Sequence, residues 1–296
     1  MIDLHMHTKY SDGSDSVEEI LKKAENKKIE VISITDHDSV NAYYELDENP
    51  KLKELYSGKI ITGIEMMSSY RGVSIEVLGY GIDYKNIKIP KIDIEEIQKN
   101  ILENMKQVSK KLGLKYNEET CYIDINNSVK QYASVVMGTE LLKYDENKQI
   151  LRKIGNEFET TTFFRVHQSN KKSPFYVDLT DYITDINKAI SIIHDAGGLA
   201  FLAHGYIYPF QNKDEVIEEI LNTTEIDGIE CIYTNFSENE RKKACNLCKK
   251  YNKYMSGGTD YHGILKFDIE LGSGRNNNMN IQKELIGDWI SKLMFF

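Results

Sequence analysis

The sequence is short of the features that would place it outside the cell interior or along a nucleic-acid backbone. Four cysteines in 296 residues are too few for a disulfide framework and fit a reduced, cytoplasmic setting. No stretch approaches the roughly 18 consecutive apolar residues of a membrane span, and no basic-then-apolar segment opens the chain as a secretory signal would. Excess cation is missing too: 37 Lys and Arg face 46 Asp and Glu, a formal charge of −9. This excludes a protein that coats nucleic acid through a basic surface. It leaves room for an anionic small substrate, because bound cations can dominate the field of a site. The length suffices for one large α/β barrel or a barrel with a small insert, and 41% hydrophobic residues can build its core.

What is present concentrates at the start. In Ile2 to His7 apolar and polar residues alternate, so Ile2, Leu4 and Met6 share one face of a strand and Asp3, His5 and His7 the other. Two imidazoles two residues apart on one face can meet a single metal ion, and Asp12 follows in a turn. A strand that spends those positions on Asp, His and His loses stability unless something binds there.

Along the chain, Ser16 and Glu19 have capping-box spacing before the apolar stripe Val17, Ile20, Leu21 and Ala24, which predicts a first helix. Residues 31–38, 59–65 and 74–82 read as further strands. Strands alternating with helices imply right-handed βα units around a mostly parallel sheet. From 88 to 178 the pattern changes to an amphipathic helix over 97–112, short polar helical pieces and the basic loop 168–174. The segment is expected to be an insert capping the barrel mouth. The barrel is assigned to 1–87 and 179–296: helix 186–196 stopped by Gly197-Gly198, strand 199–204, helix 213–221, strand 226–233 and a last strand and loop over 254–262. Seven strands result, with a tail helix over 281–293 anchored by Trp289. Cys245 and Cys248 form a C-x-x-C on the apolar face of a helix near 240–251. No second pair completes a four-sulfur zinc site, so core packing is the expectation.

On this plan the ionisable residues gather at strand C-terminal ends, where βα barrels keep their active sites. His5, His7 and Asp12 follow the first strand, His37 the second, Glu65 the third, His204 the fifth, and Asp260 and His262 the last; Glu76 alone lies inside its strand. Of the seven histidines only His167, in the insert, and His194, on an apolar helix, stay outside, and both read as structural or surface residues. Mixed imidazole and carboxylate donors suit manganese, iron or zinc, in number enough for two or three divalent ions.

His5-x-His7, the Ser11-Asp-Gly13 turn, Thr35-Asp-His-Asp38, Gly63-Ile-Glu65, Ala203-His-Gly205 and Gly258-Thr-Asp-Tyr-His-Gly263 resemble, in order, the motifs of the PHP (polymerase and histidinol phosphatase) family. The resemblance covers residues 1 to about 85 and 183 to 275. It implies a distorted seven-stranded (β/α)7 TIM-like barrel with up to three metal ions and phosphoester hydrolysis. It also implies a division of ligands: His5, His7, Glu65 and Asp260 for one ion, Glu65, Glu76 and His204 for a second, and Asp12, His37 and His262 for a third. Two positions depart from the family pattern. Glu76 stands where His is usual and favours a harder ion such as manganese or iron. Gly205 stands where Pro is usual, which changes loop shape more than coordination.

Adjacent cations lower the pKa of a water bridging the ions of Glu65 and Asp260 and neutralise phosphate oxygens as charge builds. Arg275, Lys171 and Lys172 are candidate phosphate contacts, and Asp3 and Asp36 candidate partners that orient imidazoles. The expected activity is hydrolysis of a small phosphorylated metabolite, a nucleotide or an oligonucleotide 5′ end gripped at its terminus, with no membrane partner. Histidinol-phosphate phosphatase is the rival enzyme, and a non-catalytic metal-binding accessory barrel the rival of another class. An amidohydrolase is disfavoured, since no lysine at a strand end is placed for carbamylation.

Overall fold

The computed structural model describes residues 1–127, 131–154, 170–293 and 295–296. Strands β1 (Ile2–Asp3), β2 (Val31–Ile34), β3 (Lys59–Tyr70), β4 (Val73–Tyr80), β6 (Leu199–Leu202), β7 (Gly228–Tyr233) and β8 (Tyr254–Gly258) lie in the order β1-β2-β3-β4-β6-β7-β8, and the two-residue β5 (Thr184–Asp185) pairs with β3. The chain beyond β1 turns the sheet back on itself: Leu4 N–H donates to Gly257 O at 3.2 Å, and Met6 bridges Tyr261. The result is a nearly closed barrel of seven strands, α/β and mostly parallel.

The fourth strand departs from the sequence expectation of a repeating βα unit. β3 passes directly into β4 through Arg71 and Gly72, both at positive φ (52° and 71°), the backbone of a tight two-residue hairpin turn. β4 therefore runs antiparallel to both β3 and β6, while the other pairs on the path are parallel.

Helices α1 (Val17–Asn26), α2 (Asn41–Glu48), α6 (Ile186–Asp195), α7 (Lys213–Thr223) and α8 (Glu238–Tyr251) accompany the barrel. The capping box at Ser16 and Glu19 forms in both directions, satisfying backbone donors that would otherwise lack partners at the start of α1. Ile2, Leu4 and Met6 are fully buried beside Ile20, Leu21 and Ile34. Truncating a residue such as Leu4 to Ala costs about 2–5 kcal/mol.

A second hydrophobic cluster lies apart from this core. It joins α3 (Ile94–Leu112), α4 (Ala133–Leu141) and α5 (Asp145–Lys153) through Ile101, Met105, Met137 and Leu151, and it takes in Phe175 and Ile183. A short hairpin, β9 (Ile269–Glu270) with β10 (Gly274–Arg275), follows β8. The tail is not the single helix expected over 281–293. α9 (Lys283–Ile286) ends at Gly287, whose φ of 94° breaks helical geometry, and a 3₁₀ turn, Asp288–Lys292, follows. Trp289 is buried within that turn, donating from Nε1 to Met255 O at 2.9 Å and packing against Phe201 and Tyr80.

Candidate metal centre

The donors converge because β1, β2, β6 and β8 deliver the residues that follow them to one end of the barrel, where Glu65 and Glu76 join them from within β3 and β4. His5 Nε2 and His7 Nε2 face each other at 3.2 Å, and both lie close to Glu65 Oε2, at 3.1 and 3.2 Å. Asp260 Oδ1 stands 3.5 Å from His5 Nε2 and 3.3 Å from His7 Nε2. Beside this set, Asp12 lies 3.2 Å from His262 Nε2, 3.5 Å from His7 Nδ1 and 3.7 Å from His37 Nε2. On the opposite side His204 Nε2 is 3.1 Å from Glu65 Oε1 and 3.5 Å from Glu76 Oε2. All nine donors named from the sequence thus meet in one place. Donor atoms of His5, His7, Glu65 and Asp260 lie mutually close enough for one ion, as do those of His7, Asp12, His37 and His262.

The backbone around them is specialised. His204 and Asp260 sit at φ of 28° and 57°, a left-handed conformation that costs a side-chain-bearing residue about 1–3 kcal/mol and persists where surrounding contacts impose it. Asp260 N–H donates to His5 O at 2.8 Å, tying the two donor segments together. Gly258 is required at the end of β8: a Cβ there would lie 2.4 Å from His5 N. Gly205, beside His204, packs close enough to Leu202 that a Cβ would meet it at 2.9 Å, so this loop is shaped around the missing side chain.

The electrostatics are those of a cation trap. Burial pushes the His5 ring down, but Glu65, Glu230 and Asp260 outweigh it and hold its pKa well above the ordinary value. His7 behaves likewise, raised to about 10 against burial by Asp260, Glu65 and Asp12. His262 is driven down to about 4, by burial first, although Asp12 opposes it, with the Lys266 cation adding to the fall. Asp12, Glu65 and Asp260 are all held well below the usual carboxylate range, against burial, by neighbouring imidazoles and, for Asp260, by Lys266 first. Asp38, following the donors on the second strand, is pushed up to about 7, chiefly by burial.

Several residues play parts different from those the sequence suggested. Among the described residues, neither Asp3 nor Asp36 hydrogen-bonds with an imidazole ring. Asp3 accepts from Thr259 N and Oγ1 (2.9 and 2.6 Å) and from Gly272 N (2.8 Å), so it pins the loop leading to Asp260. Asp36 accepts from Thr8 N and Oγ1, each at 2.7 Å, and from Ser11 Oγ at 2.6 Å, and so fixes the turn ahead of Asp12. The three proposed phosphate contacts lie elsewhere: Arg275 is engaged by Asp268 (2.6 Å) and Asn235 (2.7 Å), Lys171 lies against Gly72 at the β3–β4 tip, and Lys172 is exposed. Among the described residues, the cation that reaches the cluster is Lys266, whose Nζ donates to Asp260 Oδ2 at 2.6 Å. His194 pairs with Asp227 at 2.7 Å, outside the cluster, and His167 lies outside the described residues.

Glu230, inside β7, is the residue that sequence reasoning missed. It is buried, with Oε1 3.0 Å from His5 Nδ1 and Oε2 accepting from His204 N–H at 2.9 Å. With both oxygens committed, it orients two donors at once. Its signal was present as a lone carboxylate in the apolar strand Gly-Ile-Glu-Cys-Ile-Tyr. Tyr233 and Tyr208 add hydroxyl donors to Asp260 Oδ2 (2.8 Å) and Glu76 Oε2 (3.1 Å). Tyr132, just ahead of α4, has its phenol pushed well up by burial and then by the charges of Asp12 and Glu76.

The donor chemistry fits divalent transition ions. Buried imidazole nitrogens face one another at 3.2 Å with carboxylate oxygens shared around them, and cations between them would satisfy nitrogens and oxygens together. The residues that would hold such ions are the nine above.

Comparison with known proteins gives the same direction. The model of the PHP domain family matches residues 3–256. The chain is 23% identical over 266 residues to a phosphoribosyl 1,2-cyclic phosphate 1,2-diphosphodiesterase of Eggerthella lenta, covering 88% of this chain and 94% of that one. It is 23% identical over 290 residues to a 5′-3′ exoribonuclease of Haemophilus influenzae, covering 97% of each. A 3′,5′-nucleoside bisphosphate phosphatase of Chromobacterium violaceum is 22% identical over 264 residues, 88% of this chain and 87% of that one. Among solved structures, an amidohydrolase from Chromobacterium violaceum with bound sulfate and no metal superposes with a TM-score of 0.62 at 20% identity, over 96% of this chain and 95% of that one. Among the described residues no helix is long and apolar enough to cross a membrane.

Proposed function

The chain belongs to the PHP domain family, a family of metal-dependent phosphoester hydrolases, and on that premise we propose that it removes phosphate from a small phosphorylated substrate of the nucleotide class, at nine donors that hold two or three divalent ions. One observation carries the reading: His5 and His7 present Nε2 to each other at 3.2 Å with Glu65 Oε2 within 3.2 Å of both, an arrangement suited to a shared cation. Such ions supply Lewis acidity toward phosphate oxygens and a low pKa for water. Manganese or iron is favoured over zinc, because Glu76 adds a hard oxygen donor where the family usually has an imidazole.

The chain's own groups supply the rest. Glu230 fixes which nitrogen of His5 faces inward. Tyr233 and Lys266 hold Asp260, and Lys266 brings a positive charge beside the cluster that can attract a phosphate. The insert, 88–178 by sequence, is proposed as a cap over the mouth, a role supported by Tyr132 of its described part, whose phenol feels the charges of Asp12 and Glu76. The acidic chain supports gripping a nucleic acid only at its 5′ end, and its free cysteines support a cytoplasmic setting.

Phosphate release by manganese-loaded protein from a nucleoside 3′,5′-bisphosphate, a 5′-phosphorylated oligonucleotide and histidinol phosphate tests the reading. Turnover of the first or second and not the third is expected. Turnover of histidinol phosphate alone overturns the substrate class, and failure on every generic phosphate ester supports the non-catalytic barrel.

A further inference from the structure

Three of the four cysteines meet behind the donor cluster. Cys231 is the residue at which β7 slips register against β8, between the pairs Glu230–Ser256 and Ile232–Gly257, so it is the extra residue of a β-bulge. Its Sγ lies 3.5 Å from Sγ of Cys248 on α8, and Cys245 stands one turn earlier on that helix. Cys231 and Cys248 are buried, as the core-packing expectation requires. Cys245 departs from it: half-buried, it lines a surface pocket of about 380 Å³ with Lys249, Lys253 and Glu284.

The chemistry of the three thiols differs accordingly. A hydrogen bond from Cys231 holds the Cys245 thiol down to about 7, against burial, and the Lys249 cation adds to this. Burial first, then its two thiol neighbours, pushes Cys231 well up. An acidified, half-buried thiol at the pocket thus shares its helix with Cys248, whose sulfur lies 3.5 Å from that of Cys231. Packing alone explains Cys231 and Cys248. It does not explain why a half-buried cysteine that lines a pocket stands one turn from a pair of thiols 3.5 Å apart.

We propose that Cys245, Cys231 and Cys248 form a peroxide-responsive thiol site, in which Cys245 is oxidised from the surface pocket and Cys231 closes a disulfide onto it across the β7–α8 contact. The Cys245 thiolate attacks one oxygen of hydrogen peroxide; an S–O bond forms, the O–O bond breaks, and the departing hydroxide takes a proton to become water. Cys231 sulfur then attacks the sulfenic sulfur; the S–S bond forms, the S–O bond breaks, and the hydroxyl leaves with the Cys231 proton as a second water. Two thiols are oxidised to one disulfide while the peroxide takes two electrons. Cys248, already beside Cys231, can exchange into the bond and carry it inward. The stitch would lie one residue from Glu230. Cys121 is the internal control, because it is buried in the other hydrophobic cluster with its Sγ 3.8 Å from Met137 Sδ.

The full-length protein is treated with stoichiometric hydrogen peroxide, alkylated and mapped by peptide mass spectrometry. A disulfide from Cys231 to Cys245 or Cys248 is expected, reversed by dithiothreitol, with Cys121 still free. Cys245→Ser slows oxidation at least about tenfold, and Cys231→Ser leaves Cys245 as a sulfenic acid that dimedone captures. Thermal melts of both variants confirm that they fold. The proposal is overturned if Cys245 oxidises no faster than Cys121, if it proceeds to sulfinic acid with Cys231 still reduced, or if Cys245 links only to Cys248.

Discussion

Replacing Glu230 by Gln changes one atom and removes one charge, yet it undoes an arrangement in which a carboxylate accepts from two donors. His5 Nδ1 lies 3.0 Å from Oε1, and His204 N–H donates to Oε2 at 2.9 Å, with Glu230 buried. An amide offers one acceptor, so Gln satisfies either contact and points its NH2 at the other donor. One buried donor is then left without an acceptor, at about 1–3 kcal/mol, and the remaining bond loses its charge assistance. His5 can escape by moving its proton to Nε2, the nitrogen that faces His7 and Glu65, and this blocks the lone pair a cation needs. Loss of a carboxylate behind a histidine ligand typically costs about 10–100-fold in metal affinity. Glu230→Gln is therefore expected to weaken manganese binding by about that factor and to lower the melting temperature by a few degrees. Exposed Glu225→Gln, just ahead of the same strand, should change neither. Competition against a fluorescent chelator and thermal melts of both variants decide the matter. Affinity within twofold of wild type for Glu230→Gln would refute the assignment of Glu230 as the group that sets the His5 tautomer.

Metal loading should release protons. The His7 ring is raised to about 10 in the ion-free protein and is protonated below that pH, whereas a ligand must be neutral. Calorimetry at pH 7.5 in buffers of different ionisation enthalpy should show at least about one proton leaving as the set His5, His7, Glu65 and Asp260 loads, fading as pH rises past about 10; no buffer dependence would contradict the placement of His7. Gly258→Ala puts a Cβ 2.4 Å from His5 N, so circular dichroism melts should show a loss of about 1–3 kcal/mol, or more if the strands cannot separate, and metal uptake should fall with it. Glu76→His exchanges a hard oxygen for an imidazole, and equilibrium dialysis against mixed ions should shift preference from manganese toward zinc.

Apart from Glu65 and Glu76, which lie within β3 and β4, the candidate donors were legible because they sit where a strand hands over to a loop, and such places rarely carry imidazoles in sequence order by chance. His5 and His7 in alternation with Ile2, Leu4 and Met6 made the inward face plain. Glu230 was not legible for the opposite reason: it interrupts a run of Ile, Cys and Ile that reads as a strand buried on both faces, and only the three-dimensional neighbour His5 shows why a carboxylate is there. Lys266 was hidden by its place after a turn. Asp3 and Asp36 were read as partners that orient imidazoles, because their hydroxyl and backbone partners, Thr259 and Thr8, carry no spacing signal that links them. The direction of β4 was written in Tyr70-Arg-Gly-Val73, a two-residue gap too short for any crossover helix. The break in the tail at Gly287 depends on a backbone angle that composition does not report.

The hairpin between β3 and β4 has a consequence for how this protein can vary. Glu76 is held opposite Met67 by pairs that run from Gly63–Tyr80 to Tyr70–Val73, all below the Arg71-Gly72 tip. Residues added at the tip lengthen an outer spur and leave every one of those pairs in step, whereas a slip of a single residue within the ladder would turn Glu76 to the outside wall. Chain growth at this tip is thus free to reshape whatever approaches the barrel from above while the height and aim of the carboxylate stay constant.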